Sequence, residues 1–387
     1  MKKKRILAVL LSSAIAFSGM PGNVFAAEDV ALEDGFSDGE EITEDVTEES
    51  VKDVRESVPE IDQGSEDFTG FSDGESEDFV AEEELEDETD PETQVFVDDE
   101  GVVESGKCGD NLIYTITGDE INGYTLTISG TGEMYDAKYT NEYNSKWIKY
   151  GQRFKTLILN DGITHIGARA FAGCDFTGEL EIPESVTSIG FGAFSGCDFT
   201  GKLKIPQNVT YIGYRAFEYC TGFTGELEIP EGVKGIWSST FEGCTGFTGK
   251  LKIPKSVTEI ESSAFYRCTG FTGELEIPEG VTSIGQYAFS GCTGFAGKVK
   301  IPESVTYIGD SAFKACSGIE SVEFVGNASI DPASFESCTN LHTITVFSNA
   351  YILGDKFTNC PLLNEIKGYI GSEAEKYAKK RRYNLLR

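Results

Sequence analysis

Histidine is nearly missing from this 387-residue chain: His165 and His342 are the only two. With them go most routes to general-base catalysis and to imidazole-ligated metal. No HExxH, GxSxG, P-loop or complete GxGxxG is present. His165 falls where sibling segments carry serine or tyrosine, a variable position that reads as solvated or packed. Long apolar runs are also lacking. The longest, Ile6 to Phe17, is short for a membrane span. The ten cysteines include no CxxC pair, so neither a dithiol redox motif nor a zinc ribbon is written in their spacing. Positive charge is scarce, with 32 Lys and Arg against 65 Asp and Glu, and nucleic acid is accordingly a poor partner. The acids occupy a tail and repeat surfaces rather than converging pairs, which argues against glycosidase chemistry. No catalytic, metal-binding or cofactor-binding residue is predicted.

What the chain has is repetition. LEIPESVTSIGFGAFSGCDFTGK, from Leu180 to Lys202, recurs from Leu203, Leu227, Leu251, Leu275 and Val299. A leading copy starts near Leu157, and two looser ones run from Ser321 to Asn364. A fixed period of about two dozen residues is the mark of a solenoid. Within each copy, Leu180-Glu181-Ile182 alternates as a half-buried strand that Pro183 ends. Val186 to Ile189 reads as a second extended piece. Ala193, Phe194 and Cys197 fit one inward-facing helical turn. One copy is one coil, whose apolar burial alone falls short of its ordering cost, so neighbouring coils must stack with parallel strands.

This repeat resembles the BspA-type, or Treponema pallidum-type, leucine-rich repeat. The resemblance is dense from Leu157 to Asn364. It implies a mostly β, right-handed solenoid with a parallel sheet and short helical turns. It also implies secretion or surface display, and binding of other macromolecules, adhesion included.

The flanks divide the chain further. Residues 1–26 read as a secretory signal: Lys2, Lys3, Lys4 and Arg5, an apolar run, then Val24-Phe25-Ala26. No lipoprotein cysteine, LPxTG-type motif or apolar C-terminal tail is seen, so release or non-covalent surface retention is expected, without membrane insertion after cleavage. Residues 27–100 form an acidic linker read as disordered: residues 28–100 hold 32 acids against Lys52 and Arg55, a net of −30. It suits a spacer, a loose calcium-binding tail or a plain solubilising linker. Residues 101–156 read as a β-rich cap, with strands at Leu112–Thr117 and Tyr124–Ser129 around an Asn122-Gly123 turn. Tyr135, Tyr139 and Trp147 there suit packing better than a separate carbohydrate site. Residues 157–364 are nine coils. Residues 365–387 end in a short helix capped by Ser372.

Three features stand out in the coils. Nine cysteines, Cys174 through Cys360, share one phase and read as a ladder of buried free thiols, with Cys108 apart. Outward charges alternate from coil to coil: Glu179 and Glu181, Lys202 and Lys204, Glu226 and Glu228, Lys250 and Lys252, Glu274 and Glu276, Lys298 and Lys300. That pattern would fix coil register by pairing opposite charges across the ladder, with a striped docking face as the functional alternative. Glu320 and Glu323 are read as falling outside it. Lastly, Trp237 and Glu261 replace the glycine held by Gly190, Gly213, Gly285 and Gly309, and Thr240 replaces an alanine. Tyr211, Tyr214, Tyr219, Tyr266 and Arg267 lie in the same or adjacent coils. Of these, Tyr211, Tyr214, Trp237, Tyr266 and Arg267 are the candidate macromolecule-binding residues. The partner would be an extracellular protein or glycan. The competing readings are a structural spacer or envelope component without a discrete ligand and, remotely, a hydrolase with an unrecognised site.

Overall fold

The computed structural model describes residues 101–137, 146–354 and 357–383. The signal-like segment, the acidic linker and Tyr139 lie outside them. The described chain is mostly β: short strands stack in parallel, coil on coil, and one α-helix closes the C-terminal end. Each regular coil gives two strands, the first at Glu179–Glu181 and its equivalents, the second at Ser188–Ile189 and its equivalents. Second strands pair in strict phase, Ile166 with Ile189, Ile189 with Ile212, and Ile260 with Ile284 and Ile308 through their shared neighbours.

Like side chains therefore queue along the stack. Phe171, Phe194, Phe217, Phe241, Phe265, Phe289, Phe313 and Phe335 make one column, with successive ring centroids 5.1–5.5 Å apart and nearly parallel. Phe176, Phe199, Phe223, Phe247, Phe271 and Phe295 make a second. Offset rings at this spacing bury large area and add a specific attraction. The cysteines make a third column. All ten are buried and unpaired. Cys197, Cys220, Cys244, Cys268, Cys292 and Cys316 each donate Sγ–H at 3.0 Å to a phenylalanine carbonyl of the preceding coil. The thiols thus bond to backbone rather than to each other.

The segment between second strand and cysteine is not the helical turn expected from its spacing. It is a run of i→i−3 turns, such as Ala193 N–H to Gly190 O and Cys197 N–H to Phe194 O. The cause is backbone handedness: Gly192 and Gly196 have φ of 56° and 70°. Arg215 and Tyr219 hold the same left-handed places one coil on, at 56° and 57°. A right-handed helix cannot pass through two such residues. The turned N–H groups instead reach the next coil, Gly192 to Tyr214 O and Phe194 to Ala216 O.

At the start of the stack, β1 (Val102–Lys107), β2 (Leu112–Asp119) and β3 (Gly123–Gly130) form an antiparallel meander, and β3 pairs in parallel with β5 (Phe154–Leu159), past the two-residue strand β4 (Gly132–Glu133). The β2–β3 turn is set by Asp119, whose Oδ1 accepts from the amides of Ile121 and Asn122, both at 2.8 Å. The β1 strand carries a buried carboxylate. Glu104 is 2% exposed and accepts from Tyr114 at 2.8 Å, Tyr150 at 2.9 Å and the Lys149 ammonium at 2.7 Å. At the far end, helix Glu373–Arg381 packs on the last strand, Glu365–Gly368. Ser372 accepts from the Glu375 amide at 3.2 Å, and Glu375 accepts from the Gly371 amide at 2.8 Å. No helix among the described residues is long and apolar enough to cross a membrane.

The charge alternation is realised with one change of partner. Glu228 stands opposite Lys252 in register and pairs with it at 3.3 Å; Lys252 also holds Glu226 at 3.2 Å. Lys204 and Lys300 are in register with Glu181 and Glu276, yet they pair with Glu184 and Glu279, just past the proline of the preceding coil. Glu323 belongs to the pattern after all. It stands opposite Lys300 and forms an ion pair with Lys298.

Candidate functional site

Strand pairing breaks at several junctions of the stack, on the first strands between β5 and Glu179–Glu181 and between Leu251–Lys252 and Leu275, and on the second strands after Tyr307–Ile308; at one junction the two breaks coincide. Second-strand pairing runs from β4 through Tyr211–Ile212, stops, and resumes from Gly235–Ile236 to Tyr307–Ile308. In ordered coils the Thr210 amide donates to Thr187 O and the Gly213 amide to Ile189 O. Among the described residues, the Lys234 and Trp237 amides make no such bonds to Thr210 and Ile212. First-strand pairing also stops between Thr200–Lys204 and Leu227–Glu228, past a single bridge from Gly201 to Phe223. On that side lies a shallow depression of about 370 Å³ lined by Lys202, Lys204, Glu226 and Glu228. The turn side stays closed: Arg215, Phe217 and Tyr219 donate to the carbonyls of Ser238, Thr240 and Glu242. The junction is a seam, open along the strands and held along the turns.

The local sequence explains the seam. Gly222 adds a residue to this coil, lengthening the repeat from 23 residues (Leu180 to Leu203) to 24 (Leu203 to Leu227). The second phenylalanine column widens there, to 6.2 and 6.1 Å on either side of Phe223. In other coils a threonine hydroxyl also ties second strands together, as Thr210 to Thr187 O and Thr282 to Thr258 O. Lys234 takes the threonine's place and cannot make that bond. Glycine in the Trp237 position sits hard against the previous coil. A Cβ on Gly213 would come within 2.7 Å of the Phe191 amide, and one on Gly309 within 2.4 Å of the Gln286 amide. Glu261 holds the same place on the next coil and still donates its amide to Ile236 O at 2.8 Å, so a Cβ alone does not part the strands; the bulkier indole coincides with the break.

The indole lies over Gly235 of its own strand, where a Cβ would meet the ring at 3.2 Å. Its centroid is 6.2 Å from Tyr211 and 5.7 Å from Tyr214. Both tyrosines are about two-fifths exposed, at 40% and 39%. Glu259 is in register with Gly235 on the next coil. Glu261 accepts from the Ser238 hydroxyl at 2.8 Å and the Ser238 amide at 3.1 Å. Burial first, then Glu261, pushes the phenol pKa of Tyr211 and Tyr214 up; Glu259 adds to this at Tyr214. Thr240, buried beneath, donates to Trp237 O at 2.8 Å and so satisfies a carbonyl of the altered turn.

The five sequence-predicted residues thus divide. Tyr211, Tyr214 and Trp237 form one aromatic surface at the seam. Tyr266 and Arg267 sit on the turn side, with the Arg267 guanidinium 5.0 Å over Tyr266 and Tyr287 6.1 Å beyond. Tyr219 lies on that side too, its ring over Gly243 and its hydroxyl 2.9 Å from Glu242. Sequence reasoning missed Gly235, Glu259 and Lys234 as parts of the site. Trp147 is packed: it is 3% exposed, stands edge-on to Tyr114 and donates to Ala170 O at 2.9 Å. His165 Nδ1 lies 2.7 Å from the Ser188 hydroxyl. Among the described residues, no group of His, Cys, Asp or Glu is placed to hold a metal ion.

A family model described as BspA type leucine rich repeat region matches in six copies, over residues 145–272 and 272–376. A leucine-rich repeat protein from Bacteroides ovatus is similar in structure, with a TM-score of 0.50 and 22% identity over 67% of this chain and 76% of that one. One from Eubacterium ventriosum has a TM-score of 0.37 and 21% identity over 68% of this chain and 84% of its own. A leucine rich cell surface protein from Faecalibacterium prausnitzii has a TM-score of 0.36 and 19% identity over 68% of this chain and 95% of its own. No curated protein matches the chain at a significant level.

Proposed function

The chain belongs to the BspA-type leucine-rich repeat family, and on that footing we propose that it is a non-catalytic docking scaffold that works outside the cell, holding another macromolecule on the irregular coils of its solenoid. The observation that carries this reading is the seam. At one junction the repeat gives up pairing on both strands together, and three partly exposed aromatic rings occupy the place. Tyrosine and tryptophan supply large contact area at small entropic cost and dominate binding surfaces. Departures from local order in an otherwise regular fold concentrate at working sites. The signal-like residues 1–26 support export. The acidic residues 27–100 would serve as a spacer between the solenoid and whatever retains it.

Arrays of extracellular-matrix proteins, glycans and cell-wall polymers test the proposal. The full chain is expected to bind at least one ligand saturably, and Trp237→Ala to abolish that binding while leaving the circular dichroism spectrum unchanged. Saturable binding that survives Trp237→Ala would move the site elsewhere. Absence of binding on every array would favour a spacer without a ligand.

A further inference from the structure

The charges around the aromatic surface are unbalanced. Glu259 and Glu261 stand on the coil after Trp237, and neither has a cationic partner among the described residues. Lys234, just ahead of Gly235 on the second strand of the Trp237 coil, makes no ion pair with either. This contrasts with the first-strand face, where Lys204, Lys252, Lys298 and Lys300 all hold carboxylates. Glu181 and Glu276 on that face also lack a cation among the described residues, since Lys204 and Lys300 hold Glu184 and Glu279 instead. What sets Glu259 and Glu261 apart is the partly exposed phenol and indole rings beside them.

Resting on the docking role above, we infer that this surface receives a basic side chain, lysine or arginine, from a partner polypeptide. The cation sits over Trp237 between Tyr211 and Tyr214, with Glu259 and Glu261 as its counter-charges. The chemistry is that of a cation on aromatic quadrupoles, strengthened by nearby carboxylates. Tryptophan has the best face for this, and Gly235 beneath keeps its ring free of a neighbouring side chain. Ser238 holds Glu261 from two donors, so that carboxylate is oriented before the partner arrives. The chain's formal net charge of −33 draws a basic partner toward it over longer range.

The chain supplies its own reporter. It has two tryptophans, and Trp147 is buried in the core. Emission sensitive to a surface ligand is that of Trp237. The full chain is titrated with an amidated tri-arginine peptide and, in parallel, with a neutral chito-oligosaccharide. The expected result is saturable quenching by the peptide alone, weakened about tenfold in Glu259→Gln/Glu261→Gln. A Tyr214→Ala variant should weaken it similarly. Peptide binding that leaves Trp237 emission unchanged would overturn the inference. Quenching by the oligosaccharide with none by the peptide would overturn the basic-partner inference while keeping the docking role. Peptide quenching indifferent to the two carboxylates would overturn it as well. If neither probe perturbs Trp237, and the arrays show no loss on Trp237→Ala, both readings fall.

Discussion

Glu104 shows how much one side chain can tie together. It joins β1 to Tyr114 on β2 and to Lys149 and Tyr150 beyond the meander. Burial alone would push its carboxyl pKa up. The Lys149 ammonium and the two tyrosine hydroxyls outweigh burial and hold it below the usual carboxylate range. A carboxyl depressed in the folded state stabilises above its unfolded pKa, near 4.3, and that contribution is lost as pH falls through the folded value. Glu104→Gln is therefore expected to cost about 2 kcal/mol at neutral pH and to flatten the fall in stability on acidification. Urea melts at several pH values check this; a variant that keeps the full acid sensitivity would show that other carboxyls dominate.

Elements carry the next scale. The seam gives the amides of its second strand a different fate from those of the coil that follows. Lys234 and Trp237 lack the bonds that Thr258 makes to Lys234 O and Glu261 to Ile236 O. Hydrogen exchange should be markedly faster at Lys234 and Trp237 than at Thr258 and Glu261, since local opening follows missing bonds. Equal protection would mean that the strands pair across the seam in solution. On the first-strand face, Lys252 bridges two glutamates whereas Lys250 holds none among the described residues. Lys252→Glu should accordingly lower the melting temperature more than Lys250→Glu, and added salt should shrink the difference.

Much of this was legible in the residues. The period placed both strands, the buried leucine and isoleucine rows and the cysteine column, because parallel stacking forces like positions into line. Three things were harder. The expected helical turn failed because handedness at Gly192 and Gly196 is not encoded in hydrophobic spacing, although two glycines in one turn hinted at it. Glu323 looked out of pattern because the Ile-Pro pair that marks the strand is gone from its coil, yet the ladder keeps its register. The seam was half visible. Val233-Lys234-Gly235-Ile236-Trp237 stands where Val186-Thr187-Ser188-Ile189-Gly190 is the rule, and that contrast points to Trp237. That Lys234 removes a threonine bond and Gly235 makes room for the indole needed the neighbouring coil in view.

At the scale of the whole molecule, the stack is continuous even though its strands are not. Both phenylalanine columns and the turn-side hydrogen bonds cross the seam. The antiparallel meander pairs with the first coil and the C-terminal helix rests on the last strand, which leaves fewer sheet ends open to stray pairing. A repeat array of this kind gains stability from its interfaces, and an interface kept intact on one side still couples its neighbours.

Pulsed alkylation read by mass spectrometry across a urea titration tests this continuity most directly. Burial pushes the thiols of Cys174 and Cys220 up to about 12 and the others of the column up as well. All nine column cysteines should therefore stay unlabelled in the native chain and become reactive together, at the urea concentration where circular dichroism is lost. Labelling of Cys197 and Cys220 at a different urea concentration from Cys244 and Cys268, or labelling of any of them without urea, would contradict a single in-phase stack.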